Sequence, residues 1–544
     1  MEIKDLALPA MNRFASDYLI GRLEAGKFFH YALADENLYQ ARYKDLAARS
    51  FQRQELADYI YEYMNGFGLS EAAAANIEAL RIEGSAVVIG GQQAGLLSGP
   101  LYTIHKIISI IKLAEQQTKA LNKPVVPVFW IAGEDHDLAE VNHIYAMGKG
   151  KPEKMAYPLY QPKKTMVSDT PLDSLVAAEW TEVIFETFGE TDYTSTLLSE
   201  TKHIIESSSS FTDFFTSLIN VWFKDAGLLL MDAADPRLRR IESGYFQQLI
   251  EHAQPITERV FDQQEVIAES GYSRAIELEK NAANLFYYHP ERKERILLEF
   301  HSDERIYKCK NEDVSFTEKE LLEIAKNNPE RLSNNVVTRP IMQEKLFPVL
   351  AFVSGPGEIA YWAELKLAFE VMGMKMPPIV PRLNITILER GIATDLKETG
   401  VVLSEVLING TEAAESKFLE SVKDSSLQEI YEKTKEQLAR NHELLSEKAL
   451  TIDGGLKTIL AKNSDFLQGQ LDFIYDKIMQ STRRNHEVTL RKYCRIGHSL
   501  FPLKSPQERI WNIFYYLNKY GPGFIGELMQ LEYEFNNKHK IVII

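Results

Sequence analysis

The hydrophobic residues of this chain follow two different spacings, and the spacing changes along its length. In residues 1–80 apolar side chains recur at helical intervals, so helices are predicted there. Five short apolar runs follow, each ended by glycine, proline or a polar cluster: Ala86–Ile89, Val125–Ile131, Leu228–Met231, Pro348–Val353 and Pro378–Val380. Continuous apolar runs bounded by turn residues are typical of strands buried on both faces of a parallel sheet.

Helical patterns follow most of these runs, at Tyr102–Gln117, Arg237–His252 and Ile359–Val371. Strands that alternate with helices predict an α/β fold, here a doubly wound parallel sheet of five strands. Right-handed crossovers around two long insertions give the strand order 3-2-1-4-5. The sequence thus predicts an open sheet with Ala86–Ile89 in the middle.

The distances between the runs predict how the chain is divided. About 95 residues separate the second and third runs and about 115 the third and fourth, and gaps that long imply insertions. The second gap contains three stretches that alternate like strands, Asn284–Tyr288, Arg295–Phe300 and Arg305–Lys310. The predicted segments are 1–150 (N-terminal helices and first half of the core), 151–225 (first insertion), 226–270 (third strand and its helix), 271–335 (a small insertion with strands), 336–390 (second half of the core), 391–497 (a helical arm) and 498–544 (a segment that packs back on the core).

The helical arm has the pattern of a coiled coil. Seam positions recur every three or four residues across 427–445 and again across 460–488, most of them apolar and several polar, and Gly454–Gly455 separates the two series. This pattern predicts an antiparallel hairpin whose second helix is about 42 residues long. An exposed seam of this kind needs a partner, so we expect a homodimer through the coiled coil.

The composition and net charge of the chain limit the kinds of partner that it can bind. The chain carries 77 acidic and 61 basic side chains, a net charge of −16, and such a surface repels nucleic acid. Its two cysteines, Cys309 and Cys494, provide neither a disulfide framework nor a thiolate zinc site. The first residues lack a signal-peptide pattern and no apolar run is long enough to span a membrane. We therefore expect a cytoplasmic protein with no membrane and no nucleic-acid partner.

Each predicted strand ends in a loop of glycine or polar residues, where open parallel sheets bind ligands. The loops Gly90–Gly95 and Ser354–Glu358 would border a cleft, and their exposed N–H groups suit an anion, although glycines also serve tight turns. Arg339 suits a carboxylate clamp, and a plain surface ion pair is the alternative. The candidate substrate-binding residues are Gly91, Gln92, Gln93, Tyr102, Arg339, Gly357 and Glu358.

Two histidines are candidate catalytic groups. His105 lies near the start of the helix after the first strand, where it could act as an acid or base or fill the core. Asp135 and His136 follow the second strand, and a helix there would place His136, Glu140 and His143 on one face. Such a face could bind a divalent metal, recognise an amine or hydroxyl, or cap the helix. No cysteine and no second histidine motif supports a metal, so none is predicted.

Five stretches of the chain are distinctive: VVIGGQQAGLLSGPLYTIHKI, PVFWIAGEDHDLAEVNH, FPVLAFVSGPGEIAYWAELK, PPIVPRLNIT and RIWNIFYYLNKYGPGFI. Together they resemble the bacillithiol biosynthesis cysteine-adding enzymes of low-GC Gram-positive bacteria, over nearly the whole chain. The resemblance implies a Rossmann-type core related to class I aminoacyl-tRNA synthetases, connective-peptide insertions and a long coiled-coil arm.

The resemblance also implies ATP or another adenine nucleotide as cofactor. Class I synthetases carry one signature after the first strand, of which Tyr102–His105 keeps only the final histidine, and another after the fifth strand. A basic patch near the end of the second long helix is a further candidate, with a solvated helix face as the alternative. The candidate nucleotide-binding residues are Arg382, Asn384, Ile385 and Thr386 after the fifth strand, and Arg491, Lys492 and Tyr493 on that helix.

The function that the resemblance implies is a ligase for the last step of bacillithiol synthesis, joining the carboxyl group of cysteine to the amine of glucosaminyl malate. The amine must lose a proton to attack, and Asp135 or His136 is the candidate base. The alternative is a non-catalytic, nucleotide-binding scaffold or sensor whose coiled coil recruits a partner. The polar groups at every strand end favour the enzyme.

Overall fold

The computed structural model of the protein describes residues 1–159 and 163–544. The chain forms two compact units, Met1–Ile387 with Gln507–Ile544, and Leu388–Pro506. In chain order the strands are β1 (Glu2–Leu6), β2 (Ala86–Gln92), β3 (Val125–Ile131), β4 (His143–Met147), β5 (Pro152–Ala156), β6 (Leu229–Asp232), β7 (Ala282–His289), β8 (Glu294–His301), β9 (Ile306–Cys309), β10 (Ser315–Thr317), β11 (Leu332–Asn334), β12 (Val349–Ser354), β13 (Ile379–Pro381), β14 (Ile385–Leu388) and β15 (His539–Ile543).

The α-helices fill the rest of both units. Those before the second unit are α1 (Arg13–Leu19), α2 (Ala25–Phe28), α3 (Leu38–Ala47), α4 (Arg53–Asn65), α5 (Glu71–Arg81), α6 (Leu101–Leu121), α7 (Leu138–Val141), α8 (Ser174–Phe188), α9 (Thr194–Ser207), α10 (Phe211–Phe223), α11 (Pro236–Glu251), α12 (Ala253–Glu269), α13 (Glu318–Asn327), α14 (Thr338–Leu346), α15 (Pro356–Trp362) and α16 (Lys366–Val371). The remainder are α17 (Arg390–Thr399), α18 (Leu403–Asn409), α19 (Glu412–Ser421), α20 (Ser425–Leu450), α21 (Lys457–Asn485), α22 (Glu487–Leu500), α23 (Gln507–Ile510), α24 (Ile513–Tyr520) and α25 (Phe524–Gln530).

A parallel sheet forms the centre of the first unit. Within the described residues it has five strands in the order β13, β12, β2, β3, β6, so the first apolar run is the central strand. Each neighbouring pair is parallel, and the residues of β3, β6 and β12 are buried throughout. The predicted Rossmann-type parallel sheet is confirmed, because strands covered on both faces must be apolar along their whole length.

Helix α6 connects β2 to β3, and most of its residues are buried. Its apolar side chains pack on the sheet, and five polar residues are buried with them, among them His105 and Lys106. Amphipathic spacing predicted this helix correctly, but it gave no sign that its polar positions lie inside.

A second sheet, in the order β10, β9, β8, β7, β11, is antiparallel between consecutive partners. Strands β7, β8 and β9 confirm the three alternating stretches predicted in the second gap. Strand β11 leads directly into α14, which carries Arg339, so this insertion also contributes to the edge of the parallel sheet.

The two ends of the chain pair with each other. Strand β1 is antiparallel to β15, with Ile3 opposite Val542, and β15 also borders β14. Helices α1–α5 confirm the helical spacing of the first 80 residues, but the prediction missed β1. Strand β1 forms by pairing with a strand more than 530 residues away in sequence, and no local pattern reveals such a partner.

The second unit is helical and contains an antiparallel hairpin of α20 and α21. Tyr431 stacks on Tyr475 with ring centroids 4.2 Å apart, and His442 Nε2 lies 3.2 Å from Asn463 Oδ1. The predicted hairpin is confirmed, but the prediction that its second half is one long helix is wrong. The backbone leaves helical geometry at His486, which divides the predicted helix into α21 and α22.

In the described part of the chain, no helix combines the length and apolar character needed to cross a membrane.

Candidate active site at the carboxyl edge of the parallel sheet

The carboxyl ends of the parallel strands meet at one edge of the sheet, which we call the rim. Strands β2 and β12 are neighbours, and the strand order reverses between them. Ligands of open parallel sheets bind at such a reversal. The last strand residues at the rim are Gln92, Ile131, Asp232, Ser354 and Pro381.

The glycines at the end of β2 serve close packing between strands. A side-chain carbon at Gly91 would lie 2.7 Å from the Trp130 carbonyl oxygen, and one at Gly90 would lie 2.9 Å from the Val353 carbonyl oxygen. Gly357, by contrast, is exposed and has open space around its Cα. Strand packing therefore explains the first two glycines without a ligand.

The C-terminal segment covers the start of α6. The first amide of the helix, at Leu101, donates to the Trp511 carbonyl oxygen at 2.9 Å. The Asn512 side chain donates to the carbonyl oxygens of Leu97 and Gly99 at 2.8 and 2.7 Å. Part of the helix start that was expected to face an anion is thus bonded to protein.

His105 lies in a buried charged cluster. Its Nδ1 is 3.0 Å from Glu508 Oε2, and Arg382 donates to both oxygens of that carboxylate, at 2.7 and 2.6 Å. Burial lowers the pKa of His105 although Glu508 opposes the shift, so the ring is neutral at pH 7. Burial alone would raise the pKa of Glu508, but Arg382 and His105 hold it well below its usual range. The structure therefore brings His105 and Arg382 together at a carboxylate that sequence analysis missed.

The other predicted residues after the fifth strand are held by the C-terminal strand. Thr386 Oγ1 lies 2.8 Å from His539 Nε2, and the Asn384 carbonyl oxygen accepts from the Lys540 amide at 2.8 Å. Ile385 is buried. This set is fixed in place by pairing of β14 with β15.

Glu134, directly after β3, is fully buried among arginines. It accepts hydrogen bonds from Arg239 and from Arg339 Nε, the second at 2.8 Å, and the Asn334 amide lies 3.3 Å away. Burial alone would raise the pKa of Glu134, but Arg239, Arg339 and Arg295 lower it to about 2. The carboxylate is therefore charged at neutral pH, and its hydrogen bonds hold Arg239 and Arg339 in place at the rim.

Asp135 and Arg339 meet at the rim, as their positions in the sequence suggested, and they bind each other. Arg339 donates to both Asp135 oxygens, and Arg295 Nη1 lies 3.4 Å from Oδ1. The side chains of Asp135 and Arg339 are 19% and 21% exposed, whereas that of Arg295 is 3% exposed. Both guanidinium groups thus already contact the carboxylate that was proposed as a base.

His136 accepts a hydrogen bond at Nδ1 from Arg295 Nη1, at 3.3 Å. A guanidinium can only donate, so Nδ1 holds the lone pair and the neutral ring carries its proton on Nε2. Burial and the positive charge of Arg295 lower the pKa of His136 to about 4, so the ring is neutral at pH 7. In this state His136 offers an N–H donor at Nε2.

The expected alignment of His136, Glu140 and His143 on one helix face is wrong. Helix α7 is a single turn capped by Asp137, and His143 already begins β4. Glu140 instead accepts a hydrogen bond from Gln93. Within residues 1–159 and 163–544, no group of three or more His, Cys, Asp or Glu side chains is arranged to hold a metal ion.

Lys106 is a buried lysine that joins two rim loops. Its Nζ donates to Gly91 O at 2.7 Å, Gln92 Oε1 at 3.3 Å and Glu358 Oε2 at 2.6 Å. Burial lowers the pKa of Lys106, and Glu358 opposes that shift. Sequence analysis missed this residue, because one lysine in an amphipathic helix looks like a surface position.

Two tyrosines lie within the electrostatic influence of Glu358. Burial raises the pKa of Tyr361, and the charges of Glu358, Arg339 and Asp135 also act on it, so these groups share one part of the rim. Tyr102 is likewise within the electrostatic influence of Glu358. This part of the rim therefore combines the carboxylates of Asp135 and Glu358 with Arg339 and two phenols.

The predicted basic patch on α22 belongs to the second unit. Arg491 pairs with Glu487 at 2.6 Å, and Lys492 pairs with Glu398. Tyr493 is buried within that unit. The two cations thus have acidic partners, as expected of a solvated helix face.

Fold and site together define a Rossmann-like α/β protein with a charged rim and a coiled-coil unit. Residues 1–383 match the family model "Bacillithiol biosynthesis BshC, N-terminal Rossmann-like domain", and residues 385–544 match "Bacillithiol biosynthesis BshC, C-terminal coiled-coil domain". The chain belongs to the bacillithiol biosynthesis BshC family.

Curated relatives match over their whole length. A "Putative cysteine ligase BshC" of Geobacillus sp. is 46% identical over 544 residues, and those of Bacillus velezensis and Bacillus cereus are 45% and 39% identical over 543 and 542 residues. Each alignment covers 100% of both chains. A solved putative arginyl-tRNA synthetase from Campylobacter jejuni is 12% identical, with 88% of this chain and 98% of that chain covered. Its TM-score of 0.21 is too low to bear on function.

Proposed function

We propose that this chain is a carbon–nitrogen ligase that joins the carboxyl group of L-cysteine to the amine of glucosaminyl malate, the last step of bacillithiol synthesis. The observation that carries the proposal is the match of the whole chain to the BshC family and to relatives named as cysteine ligases. The rim supports it with groups suited to an amine and to carboxylates.

The reaction needs activation of cysteine, for which we propose ATP as co-substrate. A carboxylate oxygen of cysteine attacks a phosphorus of ATP and displaces diphosphate or ADP. The amine nitrogen then attacks the activated carbon, its lone pair forms the C–N bond, the C–O bond to AMP or phosphate breaks, and nitrogen loses a proton. Since ATP and cysteine are cytoplasmic metabolites, we place the reaction in the cytoplasm.

The rim residues divide into roles by their chemistry. His136, with its proton on Nε2, suits a donor to the carbonyl oxygen that gains charge during attack. Asp135 is a carboxylate beside two guanidinium groups and suits orientation of the amine. The outer part of Arg339 and the exposed backbone at Gly357 suit the two carboxylates of the malate group. His105 would act through the cluster at Glu508.

The nucleotide has two candidate sites in different units, at Asn384–Thr386 beside Arg382 and at Arg491–Tyr493. Because Arg382 is committed to Glu508, Asn384→Ala tests the first site with less damage to the core. Arg491→Ala tests the second. The variant that raises the KM for ATP identifies the site, and an unchanged KM in both rejects both assignments.

The decisive experiment supplies purified protein with cysteine, glucosaminyl malate and ATP, and follows the thiol product by mass spectrometry. We expect stoichiometric product with either AMP and diphosphate or ADP and phosphate. Omission of each substrate in turn is the control. Nucleotide binding without product would contradict the ligase and favour the scaffold.

We also propose that a second copy covers the coiled coil. Ile459, Phe466 and Phe473 recur every seven residues on α21 and are 63%, 63% and 55% exposed. Large apolar side chains at heptad spacing are typical of a helix–helix interface.

A further inference from the structure

Lys106 and Glu358 form an ion pair that has no role in the proposed reaction described above. The Lys106 ammonium has three donors, and each has an acceptor: Gly91 O, Gln92 Oε1 and Glu358 Oε2. The Lys106 side chain is 1% exposed, and Glu358 is 23% exposed. The buried lysine is therefore held by its three acceptors, and the glutamate bonded to it is the more exposed partner.

The two oxygens of Glu358 differ in their surroundings. Oε2 accepts from Lys106 Nζ and from the Gly355 amide, both at 2.6 Å. Across residues 1–159 and 163–544 no hydrogen bond to Oε1 is found. Protein atoms do not enclose this oxygen, so it reaches solvent. One oxygen is anchored and the other is available to a ligand.

The other rim groups are less able to receive an amine. Asp135 already accepts hydrogen bonds from Arg339 and Arg295, so both of its oxygens have guanidinium donors in place. His136 has its lone pair engaged by Arg295 and offers an N–H instead. An ammonium and a developing N–H⁺ need an acceptor, so Glu358 Oε1 is the group of suitable charge and access.

We propose that Glu358 is the carboxylate that receives a substrate amine, and that Lys106 is the positioning residue that holds it. This inference rests on the proposed ligase function. Both substrates carry an amine: the α-ammonium of cysteine would bind Oε1 by charge, whereas the glucosamine nitrogen would pass its proton to Oε1 as the C–N bond forms. That proton leaves to water after product release.

The placement of Lys106 gives the proposal a physical reason. Its contact with Gly91 O ties the end of β2 to the loop after β12, so the position of Glu358 is set by the sheet. A lysine without such a partner would be costly to bury.

The test compares Lys106→Met, Glu358→Gln and the double variant, with Lys112→Met on the same helix as the matched control. Lys112 is paired with Glu115, whose side chain is 48% exposed. We expect Glu358→Gln to lower kcat/KM by roughly 100-fold and Lys106→Met by roughly 10-fold. If Lys106 acts through Glu358, adding Lys106→Met to Glu358→Gln should change little.

A structural role alone gives a different pattern. The losses would then multiply in the double variant, and Lys106→Arg would recover no more activity than Lys106→Met, whereas positioning predicts partial recovery because arginine keeps a cation and its donors. Either result overturns the role of Lys106. Glu358→Gln tests the amine site even if Lys106→Met does not fold, and full activity in Glu358→Gln rejects it.

Separate KM values distinguish the two amines. A rise in the KM for cysteine assigns Oε1 to the α-ammonium, and a fall in kcat with glucosaminyl malate assigns it to the attacking nitrogen. An inactive wild-type protein would instead refute the ligase function. Active wild type with unaffected Glu358→Gln would refute only this inference.

Discussion

Arg295 donates a hydrogen bond from Nη1 to Nδ1 of His136, at 3.3 Å, and this contact fixes which nitrogen of the histidine carries the proton. An N–H at Nε2 cannot serve as a base. The residue that the sequence offered as a base thus has the geometry of a donor.

His136→Gln should retain more activity than His136→Asn. The glutamine amide nitrogen reaches the position of Nε2 and can donate there, whereas the shorter asparagine cannot. We expect kcat to fall by roughly 10-fold in the first variant and roughly 100-fold in the second. Steady-state kinetics measures both. Equal losses, or a greater loss with glutamine, would contradict the donor role.

Glu134→Gln should destabilise the first unit. The substitution removes the charge that Arg239 and Arg339 share in a buried network, and breaking a buried ion pair costs about 3–5 kcal/mol. Urea unfolding followed by circular dichroism should show a lower midpoint. Glu115→Gln, which breaks a surface pair with Lys112, is the control and should cost below about 1 kcal/mol.

The sheet was predictable because its signal is local. A strand buried on both faces must be apolar at every position, and the runs that became β2, β3, β6, β12 and β13 are recognisable one at a time. The missed strand β1 and the break at His486 depend on partners and backbone geometry that no short window of sequence contains.

The rim was predictable in its location but not in its internal pairing. Asp135, His136 and Arg339 were identified from loop position, and the structure brings them together. Lys106 and Glu508 were not, because their importance comes from being buried beside an opposite charge. Such burial depends on tertiary packing, which residue type and spacing do not reveal.

The stability of the protein should depend on pH through Asp232. Burial raises the pKa of Asp232 to about 7, although hydrogen bonds from the Ala234 amide and Ser168 oppose the shift. The folded state therefore binds a proton that the unfolded state releases near pH 4, and the stability from this group is lost as pH rises from about 4 to 7. Thermal unfolding across this range measures the loss.

Asp232→Asn isolates that contribution, because the amide is neutral at every pH. The variant should match the wild type at pH 4 and exceed its stability at pH 9, by up to about 4 kcal/mol. Asp225→Asn, in an exposed turn at the end of α10, is the control and should show no such crossover. Parallel stability curves for Asp232→Asn and wild type would reject the elevated pKa.

The double variant Phe466→Glu/Phe473→Glu should convert the proposed dimer into monomers. Both side chains lie on the exposed heptad stripe of α21, and two charges on each copy would repel across a shared interface while removing apolar contact. Light scattering at several protein concentrations should give the mass of one chain. Lys417→Glu, exposed on α19 outside the hairpin, reverses a charge in the same unit and should leave the dimer intact. A dimer that persists in the double variant would show that the interface lies elsewhere. A monomeric wild type would contradict the proposed dimer.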